Sequence, residues 1–315
     1  MKKKPVRIIV IIIVFLFISN SVATKIIYDS VFARYDRKEE LSVLSDEKYA
    51  SLIEKRESFF VNEGKETLKT YMYDAENQKG LMVIAPGLHA GADDYIPVID
   101  SFYNAGYDVV AFDPLGCVDS SGKSPKGFSQ EIEDLRSVLS YVRDSYPGED
   151  IYLFGHSRGG FAVTAILNED TDIKGVITVS GLNSAMEAII SLSSKYVGKI
   201  ANLNYPALWC YQAMLFGPGV MGLKSDKIVS NSEVPVLVIQ GSKDSTAPMD
   251  EYSIYSHKEE ITGDNATYVL CSEPGQNGHT DIMYGEDGVN EGLFNYIFTE
   301  FLDNCSDEDS IENAS

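Results

Sequence analysis

From Leu68 onward the chain alternates short runs that are apolar at every position with longer stretches in which apolar residues recur every three or four. The runs are LMVIA (81–85), VVAF (109–112), IYLF (151–154), VITV (176–179), VPVLVI (234–239) and YVL (268–270). Runs apolar on both faces are the signature of parallel strands buried under helices. Between two of them, Phe128 to Tyr146 places Ile132, Leu135, Leu139 and Val142 on one face and stops at Pro147-Gly148, which predicts a helix. The chain therefore reads βαβα, a doubly wound, mostly parallel α/β sheet with right-handed crossovers. Leu182 to Glu233 breaks the rhythm. It gathers Met186, Tyr196, Tyr205, Trp209, Tyr211, Met214, Phe216 and Met221 without a clear strand, and predicts an inserted, mostly helical cap over about 182–233. Upstream, Arg37 to Phe60 repeats Leu41, Leu44, Leu52, Ile53, Phe59 and Phe60 at three to four residues. That spacing predicts one or two amphipathic helices outside the sheet, so residues 25–65 read as a helical lead-in, 66–302 as the main domain and 303–315 as an acidic tail.

The N-terminus has its own pattern. Ile8 to Ile18 is unbroken apolar sequence behind Lys2, Lys3, Lys4 and Arg7, the arrangement of an export signal over residues 1–24. Ser21-Val22-Ala23 offers the small residues a signal peptidase prefers, while Val6 to Ala23 is almost long enough to span a bilayer. Either way the residues after Thr24 lie outside the cytosol. A retained membrane anchor is favoured over cleavage and secretion, because Ile27, Val31 and Phe32 continue at near-helical spacing into an ordered lead-in.

Composition narrows the function. A chain of 315 residues with 44% apolar positions can build one large domain or two small ones. Its charge of 26 minus 47, or −21, repels phosphate backbones, which argues against a nucleic-acid partner. Cys117, Cys210, Cys271 and Cys305 form no Cys-x-x-Cys pair, so no zinc knuckle or thioredoxin-type motif is present; in an exported chain they could pair in three ways.

The chemistry sits where IYLF runs into Gly155-His156-Ser157-Arg158-Gly159-Gly160 and then into the helical stretch FAVTAIL. This is Gly-x-Ser-x-Gly at a strand-to-helix turn tight enough to need glycine at 155 and 159. Such a turn lifts Ser157 above the sheet and aims the N–H groups of the next helix at developing negative charge. The chain here resembles the α/β-hydrolase superfamily, in particular its capped branch of monoacylglycerol-lipase-like esterases and serine aminopeptidase-type hydrolases, over roughly Leu68 to Leu302. The resemblance implies a catalytic order Ser…Asp…His. Asp244, in Gln240-Gly241-Ser242-Lys243-Asp244, matches the acid loop, and His279, in Gly278-His279-Thr280-Asp281, matches the histidine loop. Asp250 and Asp281 are the competing acids; His89, His156 and His257 are the other histidines, and none of them follows the last strand. The loop Pro86-Gly87-Leu88-His89-Ala90-Gly91 departs from the family pattern, with Pro86 where a histidine is usual. By resemblance the backbone N–H groups of Leu88 and Arg158 form the oxyanion hole. The Arg158 side chain is expected to pair with a nearby Asp or, less simply, to hold an anionic group. Asp113-Pro114-Leu115-Gly116, with Gly122 and Ser124, resembles a fold-shaping turn of the family.

The mechanism so implied is acyl transfer. His279 takes the Ser157 proton, Ser157 attacks a carbonyl, Asp244 orients the imidazole, and no metal or organic cofactor is needed. The aromatic, Met-rich cap favours a small-molecule ester with a hydrophobic or lipid-like acyl group. The alternative within the same fold is an aminopeptidase or amide hydrolase, for which Glu187 or Glu233 could hold a free amine. An alternative of another class is a surface binding protein that keeps the fold without turnover.

Overall fold

The computed structural model describes residues 3–75 and 79–305; Lys2 of the basic lead and residues 306–315 of the acidic tail lie outside it. Its first elements are a long helix, α1 (Lys3–Val31), and, after several tight turns, the short α2 (Ala50–Lys55). Strands β1 (Glu57–Glu63), β2 (Glu66–Tyr73), β3 (Leu81–Ala85), β4 (Asp108–Phe112), β5 (Ile151–His156), β6 (Gly175–Val179), β7 (Val236–Gly241) and β8 (Ala266–Cys271) follow. They form one sheet in the order β1-β2-β4-β3-β5-β6-β7-β8. Helices α3 (Ile96–Asn104), α4 (Gln130–Ser145) and α5 (Arg158–Ala165) make the crossovers. Between β6 and β7 lie α6 (Ala185–Val197), α7 (Tyr205–Phe216) and α8 (Ser225–Ser230), and α9 (Glu291–Tyr296) follows β8.

All six apolar runs are strands, β3 to β8, and they pair in parallel with one another, while β4 also pairs antiparallel with β2 from Thr70↔Phe112 to Tyr73↔Val109. Every residue of β3 to β7 is buried, because helices cover both faces. One core layer holds Ile132, Leu135, Leu139 and Val142 of α4 with Phe161 of α5; the other holds Val98, Ile99 and Phe102 of α3 with Leu293 and Phe294 of α9. Each such side chain contributes roughly 1.5–3 kcal/mol by burial. Strand β3 pairs with β4 on one side and β5 on the other, so the winding reverses there and a crevice opens at their C-terminal ends.

Two expectations for the N-terminal region are corrected. The helical lead-in ends at Lys55, and Phe59 and Phe60 belong to β1, which pairs antiparallel with β2 from Glu57↔Met72 to Glu63↔Glu66. This hairpin turns at Gly64, with φ +60°. Phe59 stacks on Tyr141 of α4 with ring centroids 4.6 Å apart, whereas Phe60 points outward under the Lys69 ammonium. An edge strand with one wet face carries many charges, and two adjacent aromatics on opposite faces imitate a helical repeat. The second correction is the face that α1 buries. Ile27 and Val31 are exposed, while Thr24 and Tyr28, with Phe32 just beyond the helix, are buried. Tyr28 donates to Lys126 O at 2.9 Å, and Phe32 meets Phe128 edge to face at 5.3 Å. Where a helix carries apolar residues on more than one face, spacing cannot choose its inner face; the complementary surface does. The four cysteines are free thiols.

Candidate active site

At the end of β5 the backbone passes through Ser157 at φ +56°, ψ −112° before entering α5. That conformation strains a residue with a side chain by about 1–3 kcal/mol. A Cβ on Gly155 would lie 2.4 Å from Gly159 O, and one on Gly159 2.0 Å from Ala85 O. Both obstacles are backbone, so the turn closes only with glycine at these positions. Ser157 N–H donates to Val179 O at 2.9 Å, which ties the turn to β6. The serine lines a cavity of about 550 Å³, together with Gly87, Leu88, His156, Thr246, Tyr252 and His279.

Asp244 follows β7 and His279 follows β8, and the two meet at 2.8 Å between Asp244 Oδ2 and His279 Nδ1. Asp244 Oδ1 accepts the N–H groups of Thr246 and Ala247, each at 2.8 Å. Burial alone would raise this carboxyl, but the His279 contact and the backbone donors hold it below its ordinary value. Asp281 instead accepts Gly278 N–H at 2.8 Å and shapes the histidine loop, while Asp250 lies in the turn after Pro248. His257 faces Glu187 and Glu260, and His89 stacks on Tyr35. Leu88 is half-buried at the cavity, and Arg158 N–H belongs to the first turn of α5, where N–H groups have no partner within the helix.

The Arg158 side chain is fully buried and paired with Glu131 of α4, also fully buried, in place of the expected Asp. Nearby, Asp134 accepts Leu115 N–H at 2.8 Å and Gln130 Nε2 at 2.9 Å, and burial still pushes it to about 7. Burial likewise pushes Asp113 to about 7, although the N–H groups of Ala92 and Asp119 hydrogen-bond it. Unfolded, both carboxyls ionise near pH 4, so the folded chain binds more protons up to about 7 and stability falls as pH rises through that range. His156 acts in the opposite sense below about 6.5, where the unfolded chain takes up a proton that the buried ring refuses. Above that only the carboxyl effect remains, and Glu131, which burial pushes up to about 8 in spite of the Arg158 guanidinium, adds to it. Between pH 6.5 and 8.5 about 3–4 kcal/mol should be lost, a fall in Tm of roughly 4–7 °C. A scanning-calorimetry Tm that rose over this interval would contradict it.

Three contributions were not foreseen from sequence. Burial, with His279 beside it, pushes the His156 ring down to about 3, so it is neutral. Its Nε2 lies 3.0 Å from His279 O, an acceptor only, and therefore carries the proton; its Nδ1 accepts from Tyr95 OH at 2.8 Å. Tyr95 OH in turn accepts Gly87 N–H at 2.9 Å. One relay of hydrogen bonds thus fixes the loop bearing Leu88 relative to the loop bearing His279. Leu41, Ser42 and Val43 of the lead-in also line the cavity.

Comparison with known proteins agrees with this fold. A solved esterase of Pyrococcus furiosus (Pf2001) superimposes with a TM-score of 0.64 at 18% identity, covering 87% of this chain and 98% of that one. The proline iminopeptidase of Mycobacterium smegmatis does so with a TM-score of 0.54 at 15% identity, covering 79% and 99%. At such identities the likeness is one of fold alone. A proline iminopeptidase of Saccharolobus solfataricus is 29% identical over 122 residues, which is 36% of this chain and only 37% of that enzyme's length. The family described as serine aminopeptidase, S33, matches residues 76–234, just over half of the chain. By that match and by its sheet, the protein belongs to the serine aminopeptidase S33 family of α/β hydrolases.

Proposed function

We propose that the protein is a membrane-anchored serine hydrolase that cleaves carboxylic esters of hydrophobic acyl groups. Ser157 is the nucleophile and His279 its base. Asp244 orients His279 and stabilises its cation, and the N–H groups of Leu88 and Arg158 receive the oxyanion. Water then releases the acid from the acyl-enzyme. The observation that carries the ester reading is the cavity wall. Leu41, Val43, Leu88, Phe128, Leu182 and Leu192 are apolar, and the only carboxylate among the lining residues, Asp94, is already bound by Arg37 and by Gly91 N–H. A free amino terminus needs an unengaged acid beside the nucleophile. Glu187 is paired with Lys224 and Asn183, and neither it nor Glu233 lines the cavity. The anchor reading rests on α1, whose window Val14–Val31 is apolar and long enough to cross a membrane.

A series of acyl esters set against aminoacyl amides tests the specificity. Turnover should rise with acyl length and be absent on proline and alanine amides; faster amide turnover would install the peptidase reading. The relay makes a second prediction. Tyr95→Phe removes the donor to His156 and the acceptor of Gly87 N–H together, and should lower kcat about tenfold with KM nearly unchanged. Steady-state kinetics with an unaltered kcat would remove Tyr95 from the positioning of the site.

A further inference from the structure

The cap carries a stretch unlike the rest of the chain. From Ile200 to Leu223 there is no Asp, Glu, Lys or Arg, in a protein that is 23% charged and strongly acidic. Its leading edge is apolar and open: Ile200 is 68% exposed and Leu203 77%, with Tyr205 and Trp209 exposed behind them. This edge is bound directly to α1. Asn20 Nδ2 and Thr24 Oγ1 both donate to Asn204 Oδ1, at 2.7 and 2.8 Å. Tyr211, two turns later, bonds Asp29 and Lys25 and meets the Tyr28 ring at 5.2 Å. Contacts that advance together along both helices make α7 run parallel to α1, with its N-terminal end nearest the anchor's apolar half.

Helix geometry converts these contacts into depth. Arg7 and Lys25 bracket a charge-free stretch of α1, and at 1.5 Å per residue they stand about 27 Å apart, close to the roughly 30 Å of a hydrocarbon core. Asn20 to Thr24 then lie about 20–26 Å from the level of Arg7, which puts Asn204 and its neighbour Leu203 some 5–10 Å inside the far boundary. That is the depth reached by interfacial amphipathic elements. Trp209 falls near the boundary, where tryptophan and tyrosine concentrate, and Met214 falls outside it. We infer that the cap edge of Ile200, Leu203, Tyr205 and Trp209 docks into the bilayer leaflet on the side of the hydrolase domain. The cap is thereby a membrane-binding surface with its orientation set by α1. This rests on the retained-anchor reading of α1 and is independent of the substrate assigned to Ser157.

Trp209 is the sole tryptophan, so each test protein can carry one reporter. Full-length protein with Trp209, with Leu203→Trp/Trp209→Phe, or with Met214→Trp/Trp209→Phe is reconstituted into phosphatidylcholine vesicles brominated at acyl carbons 6 and 7. Emission should be quenched most at 203, about twofold or more, less at 209, and least at 214, with aqueous iodide giving the reverse order. Co-flotation with vesicles but equal or absent bromine quenching at 203 and 214 would overturn the docking and leave the anchor standing. A position-203 reporter shielded from both quenchers would mean a protein partner covers the edge, and would also overturn it. Failure to co-float would remove the anchor itself, and the docking with it.

Discussion

Replacing Ser157 by alanine is expected to lower ester turnover by three orders of magnitude or more and to abolish the single fluorophosphonate adduct of the wild-type chain. The residual rate would come from the cavity and the backbone donors. Alanine resists φ +56° as serine does, so the backbone strain is unchanged and the melting temperature should stay within about a degree of the parent. Loss of labelling with intact folding thus isolates the hydroxyl. Peptide mapping that found the adduct elsewhere, or turnover by the alanine protein near the parent rate, would sink the assignment and bring forward the binding-protein alternative.

The second large effect concerns stability. Arg158→Met removes the guanidinium that partners the fully buried Glu131 and should cost about 3–5 kcal/mol in urea unfolding, because the buried acid loses its partner and must be held protonated among apolar groups. Glu131→Leu combined with Arg158→Met removes both charges and should recover most of that loss, since apolar replacement of a whole buried pair is close to neutral. A single variant within about 1 kcal/mol of the parent would show that the pair carries little charge-charge interaction. Activity in the double variant then reports whether the Arg158 backbone N–H, without its side chain, suffices for the reaction.

Much of this fold is visible in the sequence because strands β3 to β7 are buried on both faces. LMVIA or IYLF has no amphipathic reading, and the loops carrying Ser157 and Asp244 directly follow such runs, whereas β8, ahead of His279, is a partly exposed edge strand whose apolar run YVL is short. The hairpin of β1 and β2 escaped for the opposite reason: its strands are partly wet, and Glu, Lys and Thr interrupt the apolar positions. Period-two reading of Leu68, Thr70 and Met72, all buried, would have found β2. Tyr95 and His156 are a different kind of omission. They stand 61 residues apart and become partners only when α3 and the end of β5 are folded against each other. His156 adjoins Ser157 in sequence but serves the histidine loop in space. Arg158 was legible as an ion-pair former, yet Glu131 as its partner depends on how α4 lies over α5.

The backbone at Ser157 has a broader consequence. A serine held at φ +56° occupies a conformation that glycine alone adopts at ease, so the same residue that we propose as the nucleophile also carries local strain. Glycine at 157 would relax the turn and end the chemistry in one step. Pressure toward thermal robustness and pressure toward turnover therefore pull this position in opposite directions, a stability–activity conflict confined to one residue and balanced by the rigidity of the strands on either side.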